Sequence, residues 1–396
     1  MALVTLTCPH CGFSKDRDDS LLPPAGTRVN CPRCGGQFPL AIGAPPAPVE
    51  DSLPPLAAAP AKRSWTLPFA FTGNAREYFG IWIVNTLLRV VTFGIYSPWA
   101  KVRKRRYFYG NTLLDEASFD YLADPLAILK GWFIAGLFLG LYSFASRTSP
   151  IASIVMMLVF AGLYPWVVVR SRIFNLRNSC YRNIRFSFKA NYDEAYQVFL
   201  WWPLLVPLTL GLLSPYVVYL QKRYLVENCS YGTTTFRFDA APRQYYLAFL
   251  PLLILVPLAL AALVGMAFLL PKGGGNPVLL AVPMAVSAVV YLLTGLYVTT
   301  ALSNLTWSST SLGRHRFQSM LRLRDLAWIY LSNALAVLCT LGLLAPWGAV
   351  RLARYRLGKL TLSGVGRLDC YLAAENEAMG ATGEELGDML GFDLGL

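Results

Sequence analysis

Two pairs of cysteines open the chain at a spacing that suits a single metal ion. Cys8-Pro9-His10-Cys11-Gly12 and Cys31-Pro32-Arg33-Cys34-Gly35 are each Cys-x2-Cys followed by glycine, with nineteen residues between Cys11 and Cys31. Two thiolates three positions apart can reach one ion across a tight turn, and two such knuckles supply the corners of a tetrahedron. The glycine after each second cysteine permits left-handed backbone. Cys8, Cys11, Cys31 and Cys34 are therefore the expected ligands of a structural Zn²⁺ in a ribbon over residues 1–38. A segment that short buries too little apolar surface to fold without the ion. Iron and a pair of disulfides are the alternatives, and a reducing cytoplasm disfavours the disulfides. His10 is read as a surface residue, because four thiolates complete a closed shell with no position left for catalysis.

Elsewhere, groups that could do chemistry are few. The chain has two histidines and shows no HExxH, GxGxxG, Walker loop or paired-carboxylate site, so general acid–base catalysis is poorly supplied and no enzyme is expected. One charge lies inside an apolar run: Arg89, between Ile81 and Ile95. A charge at membrane depth is costly and marks a functional candidate, although an arginine near an interface can also snorkel. Asn85 and Asn333 occupy equivalent positions one turn away and complete a candidate intramembrane polar site, with helix–helix hydrogen bonding as the plainer alternative. Cys180, Cys229, Cys339 and Cys370 lack ligand spacing and are read as packing residues, and His315, between Arg314 and Arg316, as a surface residue.

The elements that must position these groups belong to a membrane protein. Of 396 residues, 55% are hydrophobic and only 14% charged, against about 25% charged in soluble domains. Runs 131–146, 150–169, 196–220, 245–270 and 277–301 contain no acid and approach the roughly 20 apolar residues of a crossing. The formal charge is +13, yet Asp369–Leu396 holds seven acids and no base, leaving +20 on the remainder. Such basicity suits the cytoplasmic face and anionic lipid rather than nucleic acid. Residues 1–10 lack the pattern of a signal peptide, so both termini are expected in the cytoplasm.

A motif recurs three times in register: Thr92-Phe-Gly94-Ile-Tyr-Ser-Pro98-Trp99, Thr209-Leu-Gly211-Leu-Leu-Ser-Pro215-Tyr216 and Thr340-Leu-Gly342-Leu-Leu-Ala-Pro346-Trp347, each reaching an Arg-Tyr pair at 106–107, 223–224 or 354–355. The glycine ends one helix and the proline begins the next, so each copy is a broken helix. A basic stretch follows in the first copy, Lys101, Arg103, Lys104, Arg105 and Arg106, and is expected to face anionic lipid. Short aromatic strands flank the broken helices, as at Phe119-x-Tyr121 and Phe236-x-Phe238, and are expected to pair with one another. The expected fold is thus mainly α: membrane hairpins and broken, re-entrant helices with short cytoplasmic strands. Its parts are the ribbon (1–38), a Pro/Ala-rich linker (39–62), repeats 63–185 and 186–316, a truncated repeat 317–366 and an acidic tail 367–396. Basic residues on both sides of each break favour four crossings plus three re-entrant elements under the positive-inside rule, with seven crossings as the rival count.

The repeats, the TxG[IL]x[SA]P[WY] signature and the Asn111 and Asn228 that follow it resemble the YjgN-like family of bacterial inner-membrane proteins, over roughly 66–366. The resemblance implies location and fold and no activity. The first 38 residues are similar to small zinc ribbons that begin many bacterial membrane-associated proteins, which implies interaction or regulation. Two functions follow as expectations. One is a transporter or channel-like protein for an unidentified solute or lipid, built from internal repeats with broken helices. The other is an oligomeric membrane scaffold that binds lipid and recruits a cytoplasmic protein through the tethered ribbon. Transport is marginally preferred at this level.

Overall fold

The computed structural model describes residues 3–18, 27–39, 64–269 and 277–365, so the linker beyond Pro39 and the acidic tail lie outside the described residues. The chain divides into two units, Met1–Ala61 and Lys62–Leu396. The first is two antiparallel hairpins, β1 (Leu3–Thr7) with β2 (Ser14–Asp18) and β3 (Arg28–Asn30) with β4 (Gln37–Pro39). Each Cys-x2-Cys knuckle forms the loop of one hairpin.

In the second unit strands and helical pairs alternate. The strands are β5 (Ser64–Pro68), β6 (Ala70–Phe71), β7 (Thr112–Leu114), β8 (Ala117–Tyr121), β9 (Ser179–Tyr181), β10 (Ile184–Phe188), β11 (Cys229–Tyr231), β12 (Thr234–Phe238), β13 (Thr310–Leu312), β14 (His315–Ser319) and β15 (Leu360–Val365). Two helical pairs are long: α3 (Pro125–Thr148) with α4 (Pro150–Arg177), and, numbered after those of the middle short pair, α8 (Pro242–Leu269) with α9 (Pro277–Ser308). Three pairs are short: α1 (Ala75–Val91) with α2 (Ser97–Gly110); an irregular limb of α5 (Tyr192–Tyr196) and α6 (Trp202–Leu204) with α7 (Ser214–Glu227); and α10 (Leu323–Cys339) with α11 (Ala345–Gly358). The irregular limb carries a π turn at Gln197–Trp201 and a 3-10 turn at Pro207–Thr209. Pro203 and Pro207 cause this, since neither can donate the helical hydrogen bond.

The strands correct the expected fold. They are not isolated cytoplasmic segments attached to a mainly α protein. All eleven join one antiparallel sheet in the order β5-β15-β14-β13-β12-β11-β10-β9-β8-β7-β6, curled into a nearly closed barrel. The end strands β5 and β6 are consecutive in the chain, separated by Phe69 alone, whose N–H donates to the Leu360 carbonyl. One stretch thus pairs with β15 on one side and β7 on the other. Nor do the aromatic strands pair directly with one another. A three-residue strand stands between each and the next, as β9 does between β8 and β10.

Two-residue turns close the strand hairpins. Asp115-Glu116 and Arg182-Asn183 are left-handed at both positions, and Gly232-Thr233 and Gly313-Arg314 at the glycine, which matches the twist of the strands. The fifth hairpin, β15 with β5, is formed across the chain: Val365 lies opposite Ser64, so the described chain enters and leaves the barrel at the turn rim. The helical pairs all spring from the opposite rim. Each leaves one strand of the sheet and returns to the next.

Side chains fill the barrel. Phe69, Leu114, Tyr181, Tyr231, Leu312, Phe317, Leu360 and Leu362 form one buried cluster. The Tyr181 hydroxyl donates to the Leu114 carbonyl at 2.6 Å and the Tyr231 hydroxyl to the Tyr181 carbonyl at 2.9 Å, so the buried phenols are satisfied. His315 is part of this interior and not of the surface. Alternation along β14 turns His315, Phe317 and Ser319 inward and Arg316 and Gln318 outward. The imidazole packs on Trp65 and beside Gly364, where a Cβ would come within 2.1 Å of it. Cys180 is buried in the barrel wall, but Cys339, read as a packing residue, is exposed at the end of α10.

Candidate functional site

The four N-terminal cysteines lie close enough to hold one metal ion, with all sulfurs within 4.8 Å of one another. Cys8 and Cys34 are 3.8 Å apart and Cys11 and Cys31 3.6 Å. A tetrahedral ion with sulfur at about 2.3 Å requires sulfur separations near 3.8 Å, whereas a disulfide requires about 2.05 Å. The knuckles are built alike. Gly12 N–H donates to the Cys8 carbonyl and Gly35 N–H to the Cys31 carbonyl, and both glycines are left-handed, at φ 68° and 71°. Backbone N–H groups of Cys34 and Arg33 aim at the Cys31 sulfur and hold its thiol down, at about 6. At Cys11 the Phe13 backbone bond is outweighed by desolvation and the three neighbouring sulfurs, which push the thiol up to about 12, so the sulfurs ionise unequally, as one interacting cluster. His10 lies against Gly36 and adds no fifth ligand.

In the second unit the repeated motif forms the tips of the short pairs, and each residue type has a task. Thr92, Thr209 and Thr340 bridge the break. Each hydroxyl donates to a carbonyl of the preceding turn (Leu88, Val206, Ala336) and accepts the N–H four residues on (Tyr96, Leu213, Leu344). Gly94, Gly211 and Gly342 have φ of 92°, 86° and 95°, open to glycine and strained for other residues. Pro98, Pro215 and Pro346 are buried in the first turn of the returning helix. Trp99 stacks on Tyr96, Tyr216 meets Trp202 edge-on, and Trp347 lies under the Arg351 guanidinium. At the apex Phe93, Leu210 and Leu341 are left-handed and almost wholly exposed, at 94%, 93% and 95%.

The tyrosine that ends each motif is a latch, a role the spacing alone did not reveal. Tyr107 accepts the Asn74 N–H and donates to its carbonyl, both at 2.7 Å; Tyr224 donates to the Asn191 carbonyl at 2.9 Å; and Tyr355 accepts the Arg322 N–H at 3.0 Å. In all three copies the partner residue precedes the first helix of the pair, so the latch ties the end of the return limb to the start of the outgoing one. The recurrence of the tyrosine in register was the available signal.

The expected lipid-facing bases separate into two groups. Arg103 and Lys104 are exposed, and Lys101 is half-buried. Arg105 donates to the Tyr121 hydroxyl at 2.7 Å and to the Asn175 side-chain oxygen, while Arg106 donates to the Tyr121 carbonyl, so both tie α2 to the barrel. The polar trio is not one site. Arg89 is exposed in the last turn of α1, where its charge suits the helix C-terminus. Asn85 is buried, and its side-chain oxygen has no hydrogen-bond partner. Asn333 donates to the Gly348 carbonyl and accepts from Arg351. Among the described residues no hydrogen bond joins the three.

A family model described as "Bacterial protein of unknown function (DUF898)" matches residues 66–389. Inner membrane protein YjgN of Escherichia coli K12 is 26% identical over 144 residues, 36% of each chain. Its Salmonella typhimurium namesake is 27% identical over 141 residues, 35% of each chain. The aligned part therefore spans little more than a third of the curated relatives. No solved structure matches this chain.

Proposed function

The chain belongs to the DUF898 family of bacterial proteins and is a membrane protein of the YjgN kind; from that premise we propose that it is an inner-membrane scaffold and not a conduit or an enzyme. In this reading the barrel and both termini face the cytoplasm. The long pairs cross the bilayer, since α3, α4, α8 and α9 are each long and apolar enough. The short pairs enter the bilayer without crossing it: seventeen residues of α1 or α10 extend about 25 Å, short of the roughly 30 Å hydrocarbon core plus its interfaces. The exposed Arg103 and Lys104 then lie toward anionic cytoplasmic lipid.

One observation carries the reading. Every helical pair hangs from a single barrel whose interior is filled, and the second short pair packs between the two long ones, α5 against α4 and α7 against α8. That arrangement supports a platform that spreads helices through the membrane; it offers no path along the barrel axis. The N-terminal cysteines hold a structural Zn²⁺ in this proposal, and the ribbon so stabilised presents a surface to a cytoplasmic protein. A zinc ion there would fix the two knuckles together and, with four thiolates around it, perform no catalysis.

Thiol labelling tests the topology in a chain lacking Cys180, Cys229, Cys339 and Cys370. A cysteine at Arg147 should react from the periplasm, one at Leu341 from neither side, and one at Glu116 only from the cytoplasm. Periplasmic labelling at Glu116 would overturn the orientation. Solute flux through vesicles containing the purified protein would instead favour transport. For the ribbon, Cys11→Ser should make residues 1–61 sensitive to protease and leave the membrane unit as resistant as before; unchanged resistance in the ribbon would remove the metal from its fold.

A further inference from the structure

A groove of about 1830 Å³ runs between α9 and the third short pair. Its outer part is apolar, lined by Leu292 and Leu296 of α9 and by Trp328 and Leu331 of α10. Its inner part, beside the barrel, carries Arg322, Arg324 and Arg354, with Asp325 held by the Tyr355 hydroxyl at 3.0 Å, while Arg351 lies further out, donating to Ser332 and Asn333 of α10. Polarity follows distance from the barrel. Arg322 and Arg324 begin α10, whereas Leu292 stands sixteen residues before the barrel end of α9, about 24 Å along it.

The equivalent seam of the second repeat is closed. There Val198 and Phe199 are buried against Val168, Val169 and Ile173 of α4, and the positions of Arg322, Arg324 and Arg351 are taken by Asn191, Asp193 and Leu220. Where Phe199 plugs that seam, the third repeat has Tyr330, 40% exposed. The first repeat has matching arginines, Arg76, Arg103 and Arg106, but no long pair precedes it. Among the described residues, the α9–α10 seam alone combines an open apolar wall with clustered guanidiniums.

We infer that this groove holds a membrane phospholipid, its anionic phosphate among Arg322, Arg324 and Arg354 at the barrel end and its acyl chains along α9 and α10. The charge selects the occupant: three guanidiniums against one carboxylate suit an anionic phosphate, and α9 is itself a candidate membrane span, which puts the apolar wall among acyl chains. Arg354 also donates to the Gly73 carbonyl, so it is structural as well, while Arg322 and Arg324 are exposed. The inference is independent of the scaffold reading, since a transporter could hold the same lipid.

The experiment uses the full chain reconstituted in vesicles of equal phosphatidylglycerol and phosphatidylcholine, then released into detergent for native mass spectrometry. Phosphatidylglycerol should be retained in preference to phosphatidylcholine. Arg322→Gln with Arg324→Gln should weaken retention about thirtyfold, and Ala334→Trp, which fills the apolar wall, should also reduce it. Lys15→Gln, an exposed lysine of the N-terminal unit, should leave it unchanged. Equal retention of both lipids, or retention unaffected by the paired arginine variant, would overturn the inference. So would retention that appears only after removal of residues 369–396, because the groove would then belong to the acidic tail.

Discussion

The short and long helical pairs hang from the same sheet and differ most at their tips. The long pair α3–α4 turns through Ser146, Arg147 and Ser149, and Lys272 lies between α8 and α9 in the sequence. The short pairs turn through Thr-Phe-Gly-Ile-Tyr or Thr-Leu-Gly-Leu-Leu, with an exposed apolar residue at each apex. A tip bound for water carries polar groups; a tip that stops in hydrocarbon must be apolar and must satisfy its own backbone. The motif threonine supplies such satisfaction, taking up one N–H and one carbonyl at each break.

A charge at each kind of tip gives the sharpest test. Leu341→Asp should cost about 3 kcal/mol, the price of a carboxylate inside the bilayer, and should expose α11 to protease at Arg351. Ser146→Asp, at the end of a long pair, should stay within about 0.5 kcal/mol. Unfolding of the two variants in lipid bicelles measures both, and equal costs would show that the two tips share one environment.

Glycine sharpens the same contrast. At Gly342, φ of 95° excludes alanine although no atom crowds the site, so Gly342→Ala should destabilise by about 1–3 kcal/mol. Gly140 sits in the regular helix α3 with equal space around it, and Gly140→Ala should be neutral or stabilise by up to about 1 kcal/mol. Opposite signs in the same unfolding assay are the expected outcome.

Much of this construction was legible beforehand, for reasons that particular residues make plain. Cys-x2-Cys-Gly and Thr-x-Gly-x3-Pro report backbone geometry directly, because glycine, proline and paired thiols have few uses. The barrel escaped detection because the first strand of most hairpins is three residues long, as in Thr112–Leu114, and follows at once on a helix cap such as Asn111. Three residues cannot display a period of two. The closing pair, Val365 opposite Ser64, joins positions at the two ends of the unit that no local pattern connects. Charge alone does not name a side chain's partners: Arg105 and Arg106 stand in one basic run and both bond Tyr121, Arg106 while still exposed.

A smaller effect is expected from the latches. Tyr224→Phe removes the hydrogen bond to Asn191 and should cost about 1 kcal/mol, loosening the second short pair. Tyr142→Phe in α3 should cost nothing measurable, since among the described residues its hydroxyl has no hydrogen-bond partner. Hydrogen exchange at α7 and at α3 reports the two outcomes separately.

The last and smallest change should not distinguish the two kinds of pair, because it acts on their common base. Burial lowers the pKa of His315 below the usual 6.5, opposed in part by a hydrogen bond that the imidazole donates to the Leu312 backbone carbonyl. The flanking Arg314 and Arg316 add no proton affinity, and the ring faces Trp65 and Gly364. Above pH 6.5 the imidazole is neutral whether the barrel is folded or not, so stability is level there. As pH falls below 6.5 the unfolded chain takes up a proton that the folded barrel refuses, and stability declines until the lower, folded pKa is passed. The barrel should therefore unfold more readily at pH 5 than at pH 7, and His315→Gln should flatten that part of the slope. Exchange at α3 and at α10 should accelerate together; acceleration at one alone would mean that the pairs do not share the barrel as their support.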